Sequence, residues 1–143
     1  MRFMIIVKST EQAEAGIPPD SADIAAMGRF NEKLIDAGIM LAGEGLMASK
    51  KGARIKFEPQ GKQTIIDGPF AEAKELVAGF WILQLPSFEE AMKWAKMAPM
   101  NVGDVLEVRQ VFEVDDFESD EITEEHLRKE QAFRDATVKP ITR

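Results

Sequence analysis

The chain has no cysteine. That absence excludes disulfides, thiolate nucleophiles and cysteine-ligated zinc or iron–sulfur sites. It has one histidine, His126, too few for a zinc site built on imidazole, so neither metal nor cofactor is expected. Long apolar runs are also missing. No stretch approaches the ~20 apolar residues of a membrane span. The opening Met1-Arg2-Phe3-Met4-Ile5-Ile6-Val7-Lys8 is cut off by Ser9-Thr10-Glu11, short of the ~7–15 apolar residues and cleavage site of a secretory leader. A cytoplasmic protein in a reducing compartment, with no membrane partner, is the expectation. Clustered basic residues are scarce. Lys50, Lys51, Arg54 and Lys56 form one small group, which a solvated turn and hairpin explains, and no nucleic-acid partner is expected. Neither a GxGxxG nor a Walker pattern occurs, and Gly43-Glu44-Gly45 lacks the spacing of a phosphate loop.

What is present points to one globular domain. The 143 residues are 45% hydrophobic, enough for a single core without staples. The net charge of −7 is unevenly placed. Residues 1–112 hold 13 basic against 15 acidic residues, and residues 113–143 hold 5 against 10. The body is nearly neutral and the tail is acidic.

Periodicity predicts a first strand over Arg2–Lys8, apolar on both faces as a central strand is. A helix follows Gly16, Pro18 and Pro19, capped by Asp20 or Ser21. Its apolar row is Ile24, Met27, Phe30 and Leu34, and Gly38 stops it. Residues 39–47 form a strand weakened by Gly43 and Gly45. Residues 53–58 and 62–67 alternate around Pro59-Gln60-Gly61 as a hairpin. Residues 76–85 form an apolar strand. Ser87-Phe88-Glu89-Glu90 opens a second helix with a capping box, its buried face made by Phe88, Met92 and Ala95, and Pro99 ends it. Residues 105–114 form the last strand, with Leu106, Val108, Phe112 and Val114 on one face and Glu107, Arg109 and Glu113 on the other. Met40, Met47, Met97 and Met100, with Trp81 and Trp94, are read as core. The order strand, helix, strand, hairpin, strand, helix, strand gives an α+β fold, the ferredoxin-like βαββαβ plan with an inserted β-hairpin. Two helices cover one sheet face, and a second copy of the chain is the expected cover for the other. In the tail, Thr123 caps a helix through about Ala136, with Phe117, Ile122, Leu127 and Phe133 available to dock it.

Asp67-Gly68-Pro69-Phe70-Ala71-Glu72-Ala73-Lys74-Glu75 resembles the signature of the DGPF proteins, a branch of the YCII-related family. Ala42-Gly43-Glu44-Gly45-Leu46, Gly79-Phe80-Trp81-Ile82, Trp94-Ala95 with Pro99, and Glu107-Val108-Arg109 are similar, in order, to that family's other segments. The resemblance covers residues 1–114, leaving 115–143 as an acidic extension docked on the dimer. It implies a dimeric α/β barrel with clefts between or beside two paired sheets. For activity it implies little. Some of the wider group are thought to use a His–Asp pair, related barrels perform lyase or isomerase chemistry, and other members neighbour alternative sigma factors. The sequence departs at Ala73, where Thr is usual, at Gln110, where Pro often stands, and in having its one histidine in the tail.

The candidate site residues each have two explanations. Asp67 either fixes its own turn by accepting backbone N–H groups or acts as a general base at a cleft mouth. Glu44, between two glycines, marks a strand bend or a second catalytic acid. Arg109 pairs with Glu107 or Glu44, or grips an anionic ligand. Lys74 is solvated, or binds the same anion as a point charge. Two functions follow. One is binding or transformation of a small, optionally anionic, molecule in a barrel cleft. The other is a non-catalytic regulatory or accessory role, with a link to transcription, through the acidic tail and the uncovered sheet face.

Overall fold

The computed structural model describes every residue except Ser119, with Glu121 and Ile122 described by their place in a helix and not by their side chains. The chain is a mixed α+β fold with one antiparallel sheet. Four strands, β1 (Arg2–Lys8), β2 (Met40–Gly45), β5 (Val77–Gln84) and β6 (Leu106–Gln110), lie in the order β2-β5-β1-β6. The remaining strands, β3 (Ala53–Phe57) and β4 (Gln63–Asp67), form a separate hairpin between β2 and β5. Two long helices, α2 (Ser21–Asp36) and α3 (Phe88–Lys96), connect β1 to β2 and β5 to β6. A short helix α1 (Glu11–Glu14), absent from the sequence reading, follows β1 under a Thr10 cap.

The core lies between the helices and one sheet face. Phe3 and Ile5 of β1, Trp81 and Leu83 of β5 and Met40 of β2 pack against Phe30 and Leu34 of α2 and Ala91 and Ala95 of α3. Each large side chain so buried contributes about 1.5–3 kcal/mol. The opposite face carries two cross-strand rows, Glu44–Phe80–Ile6–Glu107 and Ala42–Ile82–Met4–Arg109. Its middle positions are apolar and half-buried.

Several details differ from the sequence reading. Asp20, not Ser21, caps α2, and Ile24 is 58% exposed. The buried row of that helix is Phe30 and Leu34, with Met27 at its margin. In α3 the buried residues are Ala91 and Ala95. Their small side chains let the helix approach the sheet closely, which puts Phe88 at the edge, ring to ring with Phe3 at 6.3 Å. The capping box is half made. Ser87 Oγ accepts the Glu90 N–H, while the Glu90 carboxylate bonds Lys93 instead. The last strand ends at Gln110, so Phe112 and Val114 lie beyond the sheet. Of the four methionines read as core, Met40 is fully buried, Met47 and Met97 are exposed and Met100 is half-buried. Trp94 packs partly buried against the core.

Helix α4 (Glu121–Thr137) is capped by Asp120, not Thr123. The dock proposed for Ile122 lies outside the described side chains. Leu127 is half-buried, whereas Phe117 and Phe133 remain exposed. The tail is tied to the body at two places. Glu113 takes a forked pair of hydrogen bonds from Arg2 at 3.0 and 3.2 Å and faces Arg134 of α4 at 3.6 Å. Past the helix, Ile141 N–H donates to Met40 O at 2.7 Å and Arg143 reaches Asp36 at 2.7 Å. Among the described residues, no helix is long and apolar enough to cross a membrane.

Candidate functional site

The signature turn packs backbone against backbone. A Cβ on Gly68 would lie 1.8 Å from the Ser49 carbonyl oxygen, so only glycine fits there. The Gly68–Pro69 bond is cis. Gly68 N–H donates to Gly52 O at 3.0 Å, and Phe70 N–H donates to Ser49 Oγ at 3.0 Å. Across the turn, the Arg54 guanidinium stacks on the Phe70 ring at 3.8 Å, an attraction between a cation and the ring's negative face.

Ser49 carries the contact onward. Its hydroxyl donates to Glu14 Oε2 at 2.5 Å, and its N–H donates to the same carboxylate at 3.2 and 3.3 Å. Ser9, buried at the end of β1, donates to Glu14 Oε1 at 3.2 Å. Glu14 is therefore the meeting point of the hairpin, α1 and the central strand. The Ser49 hydroxyl first, then its backbone N–H and Ser9, hold the Glu14 carboxyl below the usual range, against the opposing effect of burial.

Asp67 is exposed at the end of β4. Among the described residues its carboxylate has no hydrogen-bond or ion-pair partner. The turn's amides are taken by Gly52 and Ser49 instead. Lys74 is exposed in a 3-10 turn over Ala73–Glu75. Arg109 lies 3.8 Å from Glu107, both well exposed. Glu44 and Arg109 share the open sheet face but stand on the two edge strands. With about 4.8 Å between neighbouring strands, they do not meet within one chain.

A cavity of about 560 Å³ opens at the sheet end where β1 leaves and α2 begins. Glu44 lines it; Asp67, Lys74 and Arg109 do not. Its walls are mainly apolar, from Val7, Met27, Leu46 and Trp81. Trp81 is fixed by its indole N–H, which donates to Asn31 Oδ1 at 2.8 Å. Gly43 keeps the ring in place, since a Cβ there would lie 2.9 Å from Trp81 Cδ1. The polar residues on its lining are Lys8, Thr10, Gln12, Asp23, Asn31, Glu44 and Asp104. Of these, sequence reasoning singled out Glu44 alone, and its cross-strand partner Phe80 sets its side chain on the open sheet face rather than with Trp81. The others come from β1, α1 and its cap, α2 and the loop before β6, and no motif joins them. Among the described residues, no group of three or more His, Asp or Glu side chains is arranged to hold a metal ion.

Comparison with known proteins places the sequence. A family model described as the YCII-related domain matches residues 1–115. An uncharacterised protein of Rhizobium meliloti (strain 1021) is 31% identical over 74 residues, a match covering 52% of this chain and 56% of that protein. The match thus spans little more than half the length of that relative. A solved structure of 5-chloro-2-hydroxyhydroquinone dehydrochlorinase from Burkholderia phenoliruptrix AC1100, in complex with 2,5-dihydroxybenzoquinone, superimposes with a TM-score of 0.41 at 16% identity, covering 82% of this chain and 100% of that one.

Two outcomes follow from the turn. Gly68→Ala is expected to destabilise the fold by about 2 kcal/mol or more, because the added methyl meets backbone that cannot step aside. Asp67→Ala changes stability by less than about 0.5 kcal/mol, as an unpartnered surface residue does. Urea unfolding of the two variants checks both. For Glu14, the folded carboxyl titrates below its unfolded value, so its contribution is present above about pH 4.3 and is lost as pH falls through the folded value. Glu14→Gln should cost about 1 kcal/mol at pH 7, allowing for solvent screening. The gap from wild type should narrow below about pH 4 in a pH series of unfolding curves.

Proposed function

Because the chain belongs to the YCII-related family, whose membership carries no single reaction, we propose from its geometry that it binds or transforms a small molecule in the cavity beside α2. The cavity is the observation that carries this reading. Its volume of about 560 Å³ falls within the ~300–1,000 Å³ of typical ligand pockets, and apolar walls with a few convergent polar groups are the usual lining. Glu44 stands at its edge with no partner among the described residues. In an enzymatic form of the reading it is the proton acceptor, since it is the one acid of the sequence-derived set that reaches the cavity. Arg109, Lys74 and Asp67 then belong to other surfaces, and an anion held by Arg109 and Lys74 would sit outside this cavity.

The fuller assignment follows the same lines. The resemblance of residues 67–75 to the DGPF signature supports a place in that branch. The strand order β2-β5-β1-β6 with α2 and α3 as crossovers supports a ferredoxin-like plan with β3–β4 inserted, and residues 115–143 are an appendage to it. The open face, with Met4, Ile6, Phe80 and Ile82 half-exposed at its centre, supports a homodimer closed sheet to sheet as an α/β barrel. Charged residues occupy both rims of that face. A pair of this kind brings Glu44 of one copy towards the second chain, so the partner's own charges complete the mouth of the cleft.

Thermal-shift screening of small metabolites against wild type and Leu46→Trp, which crowds the cavity wall, tests the cavity reading. Hits should raise the melting temperature of wild type and lose most of that rise in the variant. An empty screen, or hits indifferent to Leu46→Trp, overturns it. The dimer is tested by light scattering. Wild type should run at twice the chain mass, and Ile6→Lys together with Phe80→Lys at the chain mass. A monomeric wild type refutes the barrel.

A further inference from the structure

Two diagonal corners of the sheet carry unmatched surfaces of opposite charge. Strand β2 ends beside the start of β5, and from that end the chain leaves for the β3–β4 hairpin. Strand β6 is the opposite edge. It runs to the other end of the sheet, where Gln110 pairs with Phe3. From there the chain enters the tail through a 3-10 turn, Val114–Asp116. Glu44 marks the first corner and Arg109 the second. Both the width and the length of the sheet therefore separate the hairpin from the tail turn within one chain.

At the first corner, Ile55, Phe57 and Ile65 share one face of the hairpin and are 56%, 76% and 69% exposed. Residues 48–70 hold five basic side chains against two acidic. Lys50, Lys51 and Arg54 have no ion-pair partner among the described residues. At the second corner, Phe112 and Phe117 lie ring to ring at 5.2 Å and are 68% and 45% exposed. Residues 113–135 hold three basic side chains against ten acidic. Asp115 and Glu118, both exposed, have no ion-pair partner among the described residues. The turn is preformed. Asp116 accepts the Glu113 N–H at 2.7 Å, and the Glu113 carboxylate is held by Arg2 and faces Arg134. A surface ordered in advance loses little freedom on binding.

Exposed aromatic and branched side chains ringed by charge are the usual material of an interface, and opposite signs on its two halves steer them together. In a two-fold pair every contact occurs twice. A two-fold axis that lays Glu44 of one copy over Arg109 of the other sets hairpin corner on tail corner at both ends. Resting on the reading that the open sheet face closes a homodimer, we infer that the hairpin of each copy docks on the tail turn of the other. Ile55, Phe57 and Ile65 meet Phe112 and Phe117, and Lys51 and Lys56 lie towards Asp115 and Glu118. Hairpin and tail are then a pair of exchanged arms that fasten the two sheets.

The lack of cysteine permits a direct test. Phe57→Cys and Phe117→Cys, both at exposed positions, are made in separate full-length chains, mixed to exchange subunits and treated with a short bismaleimide. The mixture should yield linked chains at twice the chain mass, joined 57 to 117 in peptide mass spectra, and neither variant alone should yield them. Dimer dissociation is then followed by sedimentation on dilution. Lys51→Glu with Lys56→Glu, or Asp115→Lys with Glu118→Lys, should each weaken the dimer about ten-fold at low salt, and all four together should recover most of that loss. A dimeric wild type without the 57–117 link, or with dissociation untouched by either charge pair, overturns the inference and leaves the sheet-to-sheet reading standing. A monomeric wild type overturns both. A 57–117 link in a dimer that survives Ile6→Lys with Phe80→Lys keeps the exchanged arms and overturns the sheet pairing.

Discussion

The hydrogen bonds that converge on Ser49 hold the architecture together. A two-stranded hairpin is marginal in water, and β3–β4 exposes Ile55, Phe57 and Ile65 on one face. It is held by its base. Ser49 receives the Phe70 N–H and gives both of its own protons to Glu14, which also holds Ser9 at the end of β1. Charge assistance makes such bonds stronger than neutral ones. The same knot positions α1, whose Gln12 and Ala13 line the cavity, and Ala48, which precedes Ser49 and lines it too. The hairpin's attachment and the cavity's wall are thus one structure.

This explains which parts of the fold were legible. Strands β1 and β5 were placed within a residue because both are near-continuous apolar runs bounded by polar residues, and helix α2 because a carboxylate cap stands before a 3.6-residue period. Helix α1 was missed because four residues carry no periodicity, and its cap Thr10 is visible only once Ala13 N–H is seen to reach it. The apolar face of α2 was drawn one turn too far, to Ile24, because spacing cannot tell where the sheet beneath a helix stops. In α3 Ala95 was placed on the buried face, but the large residues Phe88 and Met92 were set beside it and Ala91 was overlooked, although close packing against a sheet selects small side chains at the contact.

The candidate site was less legible than the fold. Signature residues are contiguous, so they draw the eye, yet Gly68 and Phe70 are spent on packing and Asp67 faces solvent. The polar residues on the cavity's lining, Lys8, Thr10, Gln12, Asp23, Asn31, Glu44 and Asp104, come from β1, α1 and its cap, α2, β2 and the loop before β6. Only the folded chain brings them together. Glu44 was found because glycines flank it, and one of the two has a steric cause: Gly43 lies under Trp81 with no room for a side chain, whereas a Cβ on Gly45 would meet open space.

The open sheet face joins these strands of argument. Its two rows run from a charge or small residue at one edge, through apolar side chains, to a charge at the other. An apolar centre with a polar rim is the common anatomy of a protein interface; the helix-covered face is apolar but for Gln110 on the edge strand β6. A sheet that needed only water on this side would alternate to polar residues at Met4, Ile6, Phe80 and Ile82. The tail meets the body at Glu113 beyond β6, at Met40 where β2 starts and at Asp36 of α2. In the proposed homodimer a second sheet of the same pattern would set apolar centre on apolar centre. It also leaves Glu44 and Arg109, which one chain keeps on opposite edges, free to be brought close across two.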